Sequence, residues 1–303
     1  MTVIHRPYTS DPRFGADFLR VKAFLASINQ PEMVFPGFPW ARWEWAFSLP
    51  YLDRQHLDRI MVWEDDGEIV ALATYESRLG EAFVAIAPTY SHLTAEVVAV
   101  ATDRLADAEG RVRMYVPDRD PILQDVTYAA GFRPTADRDW NSWLPIASTT
   151  LDTNVPPGYR LATLAEEPDP IQYGKVLWKG FNHEAKEGPY NPTDQTLRDI
   201  AHQRSGPGYD PDLNMVAIAP NGEFAAHCGI WHAAGETYAV IEPVATVPEH
   251  RRKGLGRAVV HAAIERAATR GATEAWVGST LPLYLAIGFR PWGADTWWER
   301  PGI

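Results

Sequence analysis

The sequence predicts an α+β protein made of two tandem copies of one domain, and three observations carry that reading. Ala130-Gly131-Phe132-Arg133-Pro134 near the end of the first half returns as Ile287-Gly288-Phe289-Arg290-Pro291 near the end of the second. Upstream of each, residues 59–68 and 213–223 read as an apolar strand running into a turn, marked by Asp66-Gly67 and Asn221-Gly222. Such pairs favour tight hairpins because their central residues tolerate positive φ. In both halves a further strand, a Gly-containing turn (Leu79-Gly80, Ala234-Gly235) and another strand follow. Self-similarity at this spacing is the mark of a duplicated domain.

Each copy reads as a strand, two helices, a three-strand meander, a long helix, a strand, a short helix and a closing strand. In the second copy the meander is predicted at 213–219, 224–232 and 237–247. The long helix, 254–270, sets Leu255, Val259, Ala263 and Ala267 on one face with Val260 and Ile264 beside them, a 3.6-residue period. Arg270-Gly271 is a usual helix stop. A strand follows at 274–277, a short helix carries Leu283 to Ile287, and Phe289 opens the last strand. Residues 145–157 are rich in Ser, Thr and Pro, which predicts a connection between the copies. The expected domains are therefore 1–146 and 158–303, with 147–157 as linker. Each is expected to hold a mixed, mostly antiparallel sheet flanked by helices.

The chain has 303 residues, 46% of them hydrophobic and 22% charged, as expected of a globular protein with a substantial core. A net charge of −11 argues against a nucleic-acid-binding face. The opening residues show no apolar run behind their basic groups, so no signal peptide is expected, and no apolar run is long enough to span a membrane. Cys228 is the single cysteine, which excludes an internal disulfide and suits a reducing, cytoplasmic setting. There is no His-Glu-x-x-His, paired-Cys or EF-hand pattern, so no metal is expected. A Gly-x-Ser-x-Gly elbow is absent as well.

The segment with the most chemistry runs from Val247 to Arg257, between a strand and a helix. Gly254 and Gly256 allow a ligand close to the backbone. The amides of Gly254, Leu255, Gly256 and Arg257 open a helix, where N–H groups lack internal partners and the dipole adds positive charge. Arg251, Arg252, Lys253 and Arg257 add cationic side chains, so the socket suits a pyrophosphate.

This segment resembles the coenzyme A-binding motif of the GNAT superfamily of N-acetyltransferases, Arg/Gln-x-x-Gly-x-Gly/Ala, carried here by Arg251, Gly254 and Gly256. The strand before it, residues 240–247, resembles the family's fourth strand, and Tyr284 precedes Gly288-Phe289 as the family's tyrosine precedes its Gly-Phe. The resemblance implies acetyl-CoA as acyl donor, with backbone groups near Ala245, Thr246 and Val247 pairing with the pantetheine arm like an added strand. Pro243 cannot donate a ladder hydrogen bond, so a bulge or splay is expected beside it. Tyr284 would protonate the departing thiolate, and Glu242 is the first candidate for the base that deprotonates the amine. His227 and His232 are second choices, and Cys228 reads as packing. Many relatives carry an Asn seven residues before the tyrosine; this sequence has Val277 there.

Trp178, Phe181, His183 and Glu184 fall between the first helices, where the family holds its acceptor, and His227 is a further candidate contact. Aligned on the Gly-Phe landmarks, the first copy has Ser91, Thr94 and Glu96 in place of Arg251, Gly254 and Gly256. Thr127 stands in place of Tyr284, with Tyr128 adjacent. It therefore reads as a copy that has lost coenzyme A, and the whole resembles tandem-GNAT proteins of the mycothiol synthase kind. Its aromatic segment, Phe35 to Phe47, follows helical spacing at Trp40, Trp43 and Phe47 and reads as core before pocket. The expected function is transfer of an acetyl group to a primary amine, preferably of a small molecule. A non-catalytic acyl-CoA-binding module and a protein acetyltransferase remain as alternatives. Oligomeric state is not set by the sequence.

Overall fold

Asp66 and Gly67 both take positive φ, 50° and 83°, which gives the tight turn that the sequence predicts between two strands. The computed structural model describes residues 3–9, 13–28 and 38–300. In chain order its elements are β1 (Ile4–Pro7), α1 (Ala16–Ile28), α2 (Trp40–Ser48), β2 (Met61–Asp65), β3 (Glu68–Thr74), β4 (Glu81–Ile86), α3 (Thr94–Arg104), β5 (Arg113–Pro117), α4 (Pro121–Ala129) and β6 (Arg133–Pro145). They continue with β7 (Arg160–Thr163), α5 (Pro170–Gly180), α6 (His183–Glu187), α7 (Asp194–Gln203), β8 (Asn214–Ile218) and β9 (Phe224–Trp231). The last are β10 (Tyr238–Thr246), α8 (Leu255–Thr269), β11 (Glu274–Val277), α9 (Pro282–Ala286) and β12 (Arg290–Glu299). Where the sequence predicts two helices before the second meander, the structure has three, α6 being little more than one turn.

Two compact units result: Met1–Trp140 with Gly293–Ile303, and Asn141–Trp292. In the first, strands run in the order β1-β2-β3-β4-β5-β12, with β4 and β5 parallel and the other neighbours antiparallel. The second repeats the pattern as β7-β8-β9-β10-β11-β6, with β10 and β11 parallel. The sixth strand of each unit comes from the other repeat's stretch of sequence. Asp295 to Glu299 pair with β5, and Ser142 to Pro145 pair with β11.

This differs from the division expected at 146 and 158. Unit membership follows the ladder that satisfies a strand's N–H and C=O groups, and order along the chain does not decide it. The expected linker is also part of the second unit. Leu151 and Val155 pack against its core, and the Asp152 amide donates to His261 Nδ1 at 2.8 Å.

Within the second unit, successive residues of β8 point to opposite faces. Met215 and Ala217 join a core beneath α8, whereas Val216 and Ile218 join one beneath α5 with Tyr173 and Val176. The α8 stripe is as predicted, Leu255, Val259, Val260, Ala263, Ile264 and Ala267 all being buried. In the first unit Trp40, Trp43 and Phe47 are buried in the core, Trp43 lying 4.3 Å from Phe47 and 5.7 Å from Phe18 between ring centres. Phe35, Pro36 and Gly37 of that aromatic segment lie outside the described residues.

The ladder predicts how the chain can be cut. A fragment of residues 141–292 should give a cooperative thermal transition by circular dichroism. Residues 158–303 should not, since they lack the strand that carries the fully buried Leu144 and retain a β12 with no β5 to pair with.

Candidate active site

The site begins where two strands part. β10 and β11 pair from Tyr238↔Glu274 to Val240↔Trp276, and from Ile241 onward β10 has a strand neighbour only on its β9 side. On that side the register slips: Ile241 faces Ile230 and Val244 faces Cys228, so Glu242 and Pro243 together stand opposite Gly229. This is the distortion that Pro243 predicts. Gly229 makes room for it, because a Cβ there would lie 2.6 Å from the Glu242 carbonyl and 2.9 Å from Asn214 Oδ1. Gly180, at the end of α5, does the same for the far end of β10; a Cβ would meet Ala245 Cβ at 2.6 Å and Thr246 N at 3.1 Å.

Beyond β10 the chain turns through residues 247–254 into α8. Arg252 and Gly254 hold left-handed backbone, φ 64° and 80°. Gly254 caps α8 without a side-chain hydrogen bond, so the amides of Leu255, Gly256 and Arg257 open the helix without an internal carbonyl. A Cβ on Gly256 would sit 3.3 Å from Thr246 Oγ1 and 3.5 Å from Leu283 Cδ2, so a larger side chain would crowd both.

The four predicted cations play different parts. Arg251 is a clamp: Nε donates to Thr246 O at 3.0 Å, and Nη2 donates to Gly180 O at 2.9 Å and Asn182 Oδ1 at 3.1 Å. Arg257 pairs with Asp152 at 3.1 Å. Lys253 donates to Tyr159 Oη at 3.0 Å, and that hydroxyl is 2.9 Å from His250 Nδ1. Arg252 and Lys253 are exposed and have no carboxylate partner among the described residues.

Tyr284 lies on the α8 side, buried with its ring 5.6 Å from Phe289. Burial, with Cys228 and Glu242 close by, raises its pKa above the ordinary phenol value, so the hydroxyl keeps its proton at neutral pH. The structure thus brings Tyr284 and Glu242 into one neighbourhood although 42 residues separate their numbers. Glu242 is exposed at the bulge. Cys228 is fully buried and burial raises its thiol pKa, as suits packing. Val277 is buried in the α8-side core opposite Ser142. Asn141 Oδ1 lies 3.7 Å from where a Gly278 Cβ would stand.

On the α5 side, Trp178 stacks on His183 at 5.0 Å and donates its Nε1–H to Gly188 O at 3.0 Å, while His183 bonds Glu187 at 2.7 Å. Phe181 is exposed and Glu184 lies 3.8 Å from Lys179. Much of this group is therefore engaged in holding its own loop. His227 lies deeper, fully buried, its ring edge-on to Tyr173 at 5.3 Å and Nε2 at 3.3 Å from Asn214 Oδ1. Burial, with Arg204 nearby, lowers its pKa to about 3. His232 is held between the Tyr238 and Arg270 carbonyls, away from the bulge. Asn214, Gly229 and Gly180 were not singled out by the sequence, because each matters through a contact between distant segments.

In the first unit β4 and β5 also pair over three positions, Glu81↔Arg113 to Phe83↔Tyr115, but no bulge follows. β4 keeps an unbroken register with β3, and Phe83, Tyr115 and Trp297 cluster with centroids 4.8–5.4 Å apart. Arg42 lies 4.7 Å above Phe83 and forks onto Glu76 at 2.6 and 2.8 Å. Thr94 bonds Ser91 O, Thr127 is buried, and Tyr128 is exposed under Arg133. Glu96, at the position aligned with Gly256, is held by other groups of the first unit. Its carboxylate turns to Trp63 Nε1 at 2.8 Å and His5 at 3.1 Å, since these donors satisfy the charge.

Two outcomes follow for stability. Gly229→Ala should cost about 1–3 kcal/mol, because the bulge backbone must shift, and chemical denaturation measures it. His227 takes up a proton at pH 6.5 when unfolded but only near 3 when folded, so it contributes stability that falls as pH drops through that window. The slope is about 1.4 kcal/mol per pH unit, and His227→Leu should flatten the pH dependence of unfolding by that amount.

Comparison with known proteins agrees with this geometry. Residues 178–289 match the acetyltransferase (GNAT) family. A mycothiol acetyltransferase from Thermobispora bispora is 25% identical over 183 residues, 57% of this chain and 60% of its own. A streptothricin acetyltransferase from Streptomyces lavendulae is 30% identical over 96 residues, 29% of this chain and 51% of its own. The chain thus spans between half and two thirds of these curated relatives. A tandem GNAT protein from the clavulanic acid biosynthesis pathway has the same fold over 100% of both chains, with TM-score 0.62 and 16% identity. A GCN5-related N-acetyltransferase from Sphaerobacter thermophilus matches 99% of this chain and 97% of its own at TM-score 0.58 and 19% identity. Residues 178–289 are thus similar to the acetyltransferase (GNAT) family, and the whole chain has the fold of a tandem GNAT protein.

Proposed function

We propose that the second unit transfers an acetyl group from acetyl-CoA to a primary amine, with both substrates held together in one ternary complex. The observation that carries this is the parting of β10 from β11 directly before the uncapped N-terminus of α8. The residues fit the cofactor. Of Ala245, Thr246 and Val247, expected to pair with the pantetheine arm, Thr246 faces the edge away from β9, whereas Val247 N and O are bonded to Ala225 O and His250 N; the amides of Leu255, Gly256 and Arg257, with Arg252 and Lys253, are the seat for the pyrophosphate. Arg251 fixes the shape of that seat by tying Thr246 to Gly180 and Asn182.

Acetyl-CoA, when bound, supplies a reactive thioester. Tyr284 retains its proton and is the group to hand it to the leaving sulfur. Glu242, exposed on the bulge, is the acceptor for the amine's proton, directly or through water. Positioning by the parted strands supplies the largest share of the rate. Two curated relatives are a mycothiol and a streptothricin acetyltransferase, and these support a small-molecule amine as acceptor. The site gives no specific support to a protein substrate or to binding without turnover.

Calorimetric titration of acetyl-CoA should show one site per chain, abolished by Gly256→Glu. No binding to the unaltered protein would sink the assignment, and two sites would show that the first unit also binds. Tyr284→Phe should bind acetyl-CoA normally while lowering kcat by about 10²-fold, within the range of a lost general acid.

A further inference from the structure

The connection between the repeats ends at the turn that leads into α8, and it ends there on a tyrosine. Tyr159 stands directly before β7, and its ring packs, partly buried, against the α8-side core. Its hydroxyl meets two groups of the turn, Lys253 Nζ at 3.0 Å and His250 Nδ1 at 2.9 Å. The chemistry of these groups fixes the direction of both bonds. An ammonium can only donate, so the tyrosine oxygen accepts from Lys253. The hydroxyl proton then goes to His250 Nδ1, its remaining partner among the described residues. Burial and the Lys253 charge lower the His250 pKa, so the ring is neutral at pH 7 and Nδ1 is free to accept.

This tether leaves the lysine's charge uncancelled. Arg257, on the first turn of α8, is held at 3.1 Å by a carboxylate of the same connection, Asp152, and that pair is neutral. Lys253 is held by a neutral hydroxyl and keeps its full positive charge on an exposed side chain. It directly precedes Gly254, the residue from which the uncovered amides of α8 begin. A lysine stem is long and flexible, so fixing it on an anion costs side-chain entropy. A hydrogen bond already made in the free protein reduces what remains to be lost on binding.

We infer that Tyr159 is a positioning residue for the acyl donor, holding the Lys253 ammonium for the pyrophosphate while His250 takes the hydroxyl proton. This rests on the acetyltransferase reading above. The segment that joins the two repeats is then also a wall of the donor seat, although no part of it lies within the glycine-rich turn.

The test is calorimetric titration of acetyl-CoA into the full chain and into Tyr159→Phe, Lys253→Met and the two combined. Phenylalanine keeps the ring and its packing, so Tm should hold. Tyr159→Phe is expected to raise Kd by about threefold to tenfold, the equivalent of one hydrogen bond. Lys253→Met should raise it at least as much. The double variant should match Lys253→Met, because without the ammonium the hydroxyl has nothing to hold. His250→Asn sets an oxygen acceptor near the place of Nδ1 and should bind as the unaltered protein does, whereas His250→Leu should not. Dephospho-coenzyme A keeps the pyrophosphate and lacks the 3′-phosphate, so the same loss should appear with it. A Kd that is unchanged or lowered in Tyr159→Phe overturns the inference. So does a loss that adds fully to that of Lys253→Met, which a merely structural tyrosine would give, or one that vanishes with dephospho-coenzyme A. If the unaltered protein binds no acetyl-CoA, the acetyltransferase reading fails and takes this inference with it; binding with an additive cycle defeats this inference alone.

Discussion

The second unit depends on one irregularity, the two residues of β10 that stand opposite a single glycine of β9. β10 leaves β11 after Val240↔Trp276, just before this bulge, and so has an edge on which an extended ligand could lie. The bulge turns that edge outward and sets Glu242 at the opening. It also delivers the chain into the turn whose left-handed residues start α8 with its amides uncovered. The conditions that permit it are small and distant. Gly229 must lack a side chain, Asn214 must present its oxygen beside it, and Gly180 must let α5 close on Ala245.

The first unit is the same architecture with the irregularity removed. Its β4 keeps register, and the aromatic rings of Phe83, Tyr115 and Trp297 pack across the last paired rung of β4, β5 and β12. Burying three aromatic rings and a charge-paired Arg42 stabilises that rung.

Charge in the second unit is allotted between scaffold and ligand. Arg251 is spent on three backbone and amide acceptors, and Arg257 on Asp152. Lys253 leans on the Tyr159–His250 pair, and Arg252 extends to solvent. A motif read as four equivalent cations resolves into two that shape the loop and two that face outward. The buried polar groups divide in a similar way. His261 is satisfied at both nitrogens by Asp152 and Ile287, whereas His227 is satisfied at one.

The sequence by itself determined the duplication, the order of elements, the α8 stripe and the glycine-rich turn, because each is a local pattern. Periodicity, turn residues and helix-opening glycines act over a few neighbours and need no distant partner. It also placed a distortion at Pro243, since a missing N–H is a property of that residue alone. Only the tertiary structure decided that Ser142 to Pro145 complete the second unit and Asp295 to Glu299 the first. It alone turned Arg251 inward and Glu96 toward Trp63, and left one nitrogen of His227 bare. The reason is physical. Strand partners, ion-pair partners and burial are set by groups far apart in the chain, so their outcome is fixed only when the whole core closes.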